Sequence, residues 1–221
     1  MSLIVKNLCK SFYQGDDKVP VLQSVNVEIK NGEIVAIVGE SGSGKSTLLS
    51  LLAGLDRADE GQVIVDSFDL SKLDERSLTK FRGENIGIVF QQYHLVSHLT
   101  ALENVMLPME ILKKDEAQER AHSLLKELGL EHRLHQFPSR MSGGECQRVA
   151  IARALAVRPK IILADEPSGN LDVQTGEKVM DTFFNIIKKY QMTTILVTHS
   201  EPLAKRCQKV LRLFQGQLLE A

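Results

Sequence analysis

The stretch Gly39-Glu40-Ser41-Gly42-Ser43-Gly44-Lys45-Ser46-Thr47 constrains the fold more than any other part of the chain. It meets the spacing G-x-x-x-x-G-K-[ST] through Gly39, Gly44, Lys45 and Ser46. Ahead of it, Glu33-Ile34-Val35-Ala36-Ile37-Val38 is a near-continuous apolar run, the pattern of a buried parallel strand. Behind it, Thr47-Leu48-Leu49-Ser50-Leu51-Leu52-Ala53-Gly54 has helical composition and a glycine stop. Strand, loop and helix in that order predict an α/β fold with a phosphate cradle. Glycines let the backbone approach phosphates closely, and N–H groups of the loop and helix start point at the anion. Lys45 is expected to reach the β- and γ-phosphates and Ser46 to ligate Mg²⁺. A chance Gly/Ser-rich turn would need none of this flanking pattern. Alone, the loop says only that a nucleoside triphosphate binds.

The 221 residues suffice for one generous α/β domain with its own core. A net charge of −1 leaves no basic footprint for nucleic acid. No stretch approaches the roughly 18 apolar residues of a membrane span. The start, Met1-Ser2-Leu3-Ile4-Val5-Lys6, lacks a signal-peptide layout. Cys9, Cys146 and Cys207 are too widely spaced for a zinc ribbon and make no disulfide framework. A reducing cytoplasm is the expected home, and any membrane role must come through a separate partner.

The rest of the chain supplies further candidates. Leu3 to Lys6 and Val25 to Lys30 are expected strands, the second alternating as a half-exposed antiparallel strand does, with a polar turn at 14–18 between them. Phe12 and Tyr13 either stack on a purine or pack as ordinary rings. Gly61 to Asp66 predicts a strand and Ser71 to Arg82 a short helix. Ile86 to Phe90 predicts a strand ending at Gln91, which could ligate Mg²⁺, hold a water, or simply leave the sheet.

From about Leu99 to Val157 the pattern turns helical. Asp115-x-x-Gln118 predicts a capped helix with a stripe of Leu124, Leu125 and Leu128 and a stop at Gly129. Ser142-Gly143-Gly144-Glu145 predicts a capping box whose two glycines expose bare N–H groups, either a second anion site or an ordinary cap. Lys160 to Ala164 predicts a buried strand followed by Asp165 and Glu166, an acid to hold Mg²⁺ and one to orient or deprotonate water. Ser168 to Asp172 is an expected turn, and Val179, Phe183, Ile186 and Ile187 a core stripe. A last buried strand, Thr194 to Thr198, ends at His199, structural or functional, and residues 211–218 predict a closing hairpin.

Taken in order, the phosphate loop, Gln91, Ser142 to Glu145, Ile161 to Glu166, Ser168 to Asp172 and His199 resemble the ABC-transporter ATPase family over essentially the whole chain. The Ser-Gly-Gly-Glu run is the most specific part. Gly169-Asn170-Leu171-Asp172 is similar to the LolD, MacB and FtsE branch. The resemblance implies a phosphate-loop (RecA-like) core, an N-terminal antiparallel β subdomain and a helical signature subdomain. It implies one ABC ATPase domain over 1–221, with 1–91 and 159–221 as core and β subdomain and 92–158 helical.

By the same resemblance, ATP and Mg²⁺ are the ligands. Phe12 would stack on adenine, while 39–47 hold the phosphates. Ser46, Gln91 and Asp165 would serve the metal, Glu166 would be the base, and His199 would clamp the γ-phosphate. Ser142, Gly143, Gly144 and Glu145 would contact ATP on the opposite copy of a homodimer closed by ATP. Cys146 stands where glutamine is more usual, either an inert small residue or a thiol near the interface. A separate permease is the implied partner, at the cytoplasmic face of the inner membrane. The alternatives are a soluble ABC ATPase of DNA repair or translation, against which low basic charge and the absence of zinc cysteines stand, and a small-molecule kinase.

Overall fold

Gly15, at φ 64°, lets the chain reverse between two long strands, β1 (Leu3–Gln14) and β2 (Asp17–Ile29). The computed structural model describes residues 3–220. Met1 and Ser2, on which part of the expectation about the N-terminus falls, and Ala221 lie outside the described residues. The order continues with β3 (Ile34–Val38), α1 (Lys45–Leu52), β4 (Glu60–Val65), β5 (Phe68–Asp69), α2 (Glu75–Asn85) and β6 (Ile86–Val89). Then come α3 (Ala101–Ile111), α4 (Ala117–Glu127), α5 (Gly143–Leu155), β7 (Ile161–Asp165) and α6 (Val173–Lys189). The chain closes with β8 (Thr193–Val197), α7 (Glu201–Ala204), β9 (Lys209–Phe214) and β10 (Gln217–Glu220).

These elements form two compact units, Met1–Arg82 with Gln191–Ala221, and Gly83–Tyr190. The first holds an antiparallel sheet in the order β2-β1-β4-β5. It also holds β3 paired in parallel with both β8 and β9, with β10 antiparallel on β9. A strand with parallel neighbours on both sides is buried on both faces, hence the unbroken run of Ile34, Val35, Ala36 and Ile37, all buried. The closing hairpin turns at Gln215 and Gly216, both at positive φ, as a two-residue turn of the primed type requires.

In the second unit β6 pairs in parallel with β7, and α3, α4, α5 and α6 pack as a helical layer. The stripe of α6 is fully inward: Val179, Met180, Phe183, Phe184, Ile186 and Ile187 are buried. Leu124, Leu125 and Leu128 are buried as their spacing requires, and Gly129 at φ 71° ends the helix.

Two local expectations fail for identifiable reasons. The helix expected over Ser71 to Arg82 is split: Asp69 accepts the Ser71 N–H at 3.1 Å in a short 3₁₀ turn, and Asp74 accepts the Ser77 N–H at 2.8 Å as α2 starts. Two short polar side chains each claim a backbone donor, so the helix restarts. Asp115 does not cap α4. Glu116 is the cap at φ 62° and makes no side-chain bond, so the backbone reversal sets the start rather than a carboxylate. The helix α3 falls within the stretch expected to be helical from about Leu99, and it carries Pro108 inside it. Thr100 and Glu103 form a full capping box there, and buried Asn104 binds the Val96 N–H and the carbonyls of Val96, Leu99 and Thr100.

The α6 stripe yields a stability contrast. Phe183→Ala should cost about 3–5 kcal/mol, because Phe183 is wholly buried. Val173→Ala, at a position 77% exposed, should stay within about 0.5 kcal/mol. Urea midpoints of the two variants check this.

Candidate nucleotide site

In the first unit, β3 delivers the chain into the loop of Gly39 to Gly44. A Cβ on Gly39 would stand 2.6 Å from the Leu213 carbonyl oxygen and 2.8 Å from Ser43 Oγ, so only hydrogen fits. Gly44 caps α1 at φ 99° with no side-chain bond, leaving the first N–H groups of the helix open to an anion. Lys45 folds back over the loop. Its Nζ donates to the carbonyls of Gly39 at 2.9 Å and Glu40 at 2.7 Å, and the side chain is buried. An ammonium has three protons, so one donor remains. Ser43 Oγ is buried and finds no hydrogen-bond partner among the described residues. An orphaned hydroxyl beside a partly satisfied ammonium and bare helix amides is what a phosphate would complete. Ser46 lies exposed on the first turn of α1.

His199 is exposed just past β8. Phe12 and Tyr13 are 44% and 73% exposed on the β1–β2 arm, so neither ring is core. The Lys10 ammonium lies 5.2 Å from the Phe12 ring centroid.

The second unit holds the remaining candidates. Ser142 caps α5 with a complete capping box. Glu145 Oε2 accepts from the Ser142 N–H at 2.8 Å and hydroxyl at 3.0 Å, and Oε1 accepts from Arg133 Nε at 2.7 Å. Burial alone would push the Glu145 carboxyl up. The Ser142 N–H, the Arg133 guanidinium and the Ser142 hydroxyl outweigh it and hold the group below the usual carboxylate range. A Cβ on Gly143 would meet the Tyr93 hydroxyl at 2.7 Å, the far end of a side chain that can swing aside, and one on Gly144 would meet Thr175 Cγ2 at 2.4 Å, so Gly144 is the position where space demands glycine. Cys146 is buried, its thiol donating to the Pro138 carbonyl at 3.6 Å. Burial first, then the Glu145 charge, push that thiol up. It is an inert packing group here.

Asp165 ends β7, and Glu166 follows at φ 47°. A non-glycine residue in that region costs on the order of 1–3 kcal/mol. The turn after it closes by the Gly169 N–H donating to the Glu166 carbonyl at 2.9 Å, and Asp172 caps α6. Gln91 is exposed and joined to Asn170 by two hydrogen bonds. Arg133 and Asn170 had no sequence signal as supporting groups, since each acts on a residue far along the chain. The Ser46 hydroxyl, the Gln91 amide oxygen and the Asp165 carboxylate are each hard oxygen donors of the kind Mg²⁺ takes.

A family model described as ABC transporter matches residues 22–169. The chain belongs to that family. It is 47% identical over 218 residues to the ABC transporter ATP-binding protein YbbA of Escherichia coli strain K12, covering 98% of this chain and 96% of that one. It is 44% identical over 220 residues to the lipoprotein-releasing system ATP-binding protein LolD of Treponema denticola, covering 99% and 97%. The dimeric, post-hydrolysis structure of the cassette MJ0796 bound to ADP and Pi superposes with a TM-score of 0.90 at 42% identity, covering 98% of this chain and 96% of that one. The fold is thus that of an ABC ATPase cassette, with an antiparallel β part and a helical part. The chain is an ATP-binding, ATP-hydrolysing ABC transporter subunit of the LolD and YbbA type.

Two outcomes check the geometry. Lys45→Ala should abolish useful ATP binding, read by equilibrium titration with a fluorescent ATP analogue. Arg133→Gln should raise the Glu145 titration from its lowered position, because one of the groups holding it down is lost, read by NMR of the carboxyl carbon. Because that group is depressed in the folded chain, its cap contributes stability above the ordinary carboxylate range and loses it as pH falls through the lowered value.

Proposed function

We propose that this cassette energises a separate inner-membrane permease from the cytoplasmic face, touching the membrane only through that partner. Among the described residues no helix is long and apolar enough to cross a membrane. The observation that carries the reading is the Ser142–Glu145 capping box with its tightly packed glycine turn, in a chain that also carries a whole phosphate loop. One chain then has two anion cradles for one nucleotide. Two copies related by a two-fold axis would each offer the Ser142, Gly143, Gly144 and Glu145 turn to ATP held by the other. We take 1–221 to act as one ABC ATPase domain, with 92–158 as its helical subdomain.

The roles follow the chemistry of each group. Phe12 stacks on adenine. Gly39, Glu40, Ser41, Gly42, Ser43, Gly44, Lys45, Ser46 and Thr47 hold the phosphates. Ser46, Gln91 and Asp165 hold Mg²⁺, which neutralises phosphate charge when bound. Glu166 takes a proton from water as its oxygen attacks the γ-phosphorus and the bond to the β-phosphate oxygen breaks, releasing ADP and phosphate. His199 holds the γ-phosphate. ATP favours the closed dimer because closure adds contacts to it, and losing the γ-phosphate loosens it. LolD relatives belong to lipoprotein-releasing systems. That supports a lipid-anchored or hydrophobic cargo, extracted or exported by motion passed through the permease.

Glu166→Gln should bind ATP normally and hydrolyse it roughly 10²-fold or more slowly in a phosphate-release assay. Ser142→Arg should spare ATP binding to the single chain but abolish the ATP-dependent dimer on size exclusion. To find the partner, the tagged Glu166→Gln form is purified with ATP from gently solubilised membranes. A co-purifying membrane protein with few spanning helices and a large periplasmic region is the expected result. Ribosomes, nucleic acid or soluble proteins alone would overturn the transporter partner and leave the ATPase chemistry standing.

A further inference from the structure

We propose that Asn170 is a positioning residue that fixes the Gln91 side-chain amide so that Oε1, not Nε2, is the atom offered to a metal–nucleotide complex. The inference rests on the metal role given to Gln91 above.

The orientation follows from an ordered chain of hydrogen bonds. Asn170 Nδ2 donates to the main-chain carbonyl of Gln91 at 3.0 Å. A carbonyl oxygen can only accept, so this bond settles which end of the Asn170 amide is nitrogen. Its Oδ1 must then face the Gln91 side chain, and it accepts from Gln91 Nε2 at 3.1 Å. That leaves Oε1 as the end of the glutamine amide not used in the pairing. Without Asn170, the two ends of the glutamine amide would be interchangeable in space, and half of the orientations would present N–H groups to a cation.

The backbone around Gln91 has little freedom of its own. The Phe90 carbonyl accepts from Gln147 Nε2 at 3.4 Å. Arg153 donates to the carbonyls of Tyr93 at 2.9 Å and His94 at 2.6 Å. Both donors project from α5. The remaining freedom is in the Gln91 side chain, and Asn170 removes it. Gly169 supplies the room: a Cβ there would stand 2.7 Å from Gln91 Nε2 and 3.0 Å from its Cδ. The alternative role for this pair is simply to brace the turn at 168–172.

The two roles separate in a metal-binding measurement. Mn²⁺ serves as the probe in place of Mg²⁺, with a non-hydrolysable ATP analogue present, and free Mn²⁺ is read by electron paramagnetic resonance. Asn170→Ala should weaken Mn²⁺ binding by roughly tenfold. Gly169→Ala leaves Asn170 in place but displaces the glutamine amide, and should lose as much as Asn170→Ala. In a Gln91→Ala background, Asn170→Ala should add no further loss. Wild-type Mn²⁺ affinity in Asn170→Ala, with Gln91→Ala weakened, overturns the positioning role alone. An equal loss on adding Asn170→Ala to Gln91→Ala also overturns it, in favour of a brace. Unchanged affinity in Gln91→Ala overturns the metal role of Gln91 itself, and the inference with it.

Discussion

A lysine ammonium buried beneath a loop is costly unless oxygen atoms surround it. Lys45 meets that constraint by binding the carbonyls of Gly39 and Glu40, which belong to the loop it closes. The loop must therefore wrap the side chain, and the wrap leaves no volume for a Cβ at Gly39. It also leaves Ser43 Oγ buried without a partner among the described residues. One interaction thus fixes the path of the chain, requires glycine, and leaves donors facing the place an anion occupies.

The second unit meets the same problem by a different route. At α5 the bare helix start is shaped by Ser142 and Glu145, and Arg133 neutralises the carboxylate that does the shaping. Thr100 and Glu103 repeat the device on α3 without the glycines and without the arginine. Comparing the two separates a cap that only starts a helix from one in a turn where Gly144 leaves no space for a side chain. The glycines at 143 and 144 make that difference, since they bring Tyr93 and Thr175 within reach of the backbone.

Features set by the main chain were legible in the sequence. The phosphate loop, the Ser142 box, the buried strands and the α6 stripe depend on residue type at short spacing, and the ABC family follows from their order. Features set by distant partners were not. Arg133 reaches Glu145 from 12 positions away and Asn170 reaches Gln91 from 79, and no local pattern announces either. The arm of β1 and β2 runs well past the short strands expected, because cross-strand pairing continues to Gln14 and Asp17 and carries polar residues with it. Asp115 has the right residue type for a cap, but a left-handed Glu116 lies between it and α4. Local chemistry proposes a cap, and the path of the backbone decides whether it is used.

Arg153 has a mechanical meaning beyond its hydrogen bonds. Its guanidinium grips two successive carbonyls, at Tyr93 and His94, from the same helix that begins at Ser142. A planar fork on two oxygens resists both sliding and twisting, where a single bond would pivot. A push delivered to the segment after Gln91 would therefore reach the opposite end of that helix with almost no slack. In such a linkage the stiffness is high, because neither contact can turn without straining the other.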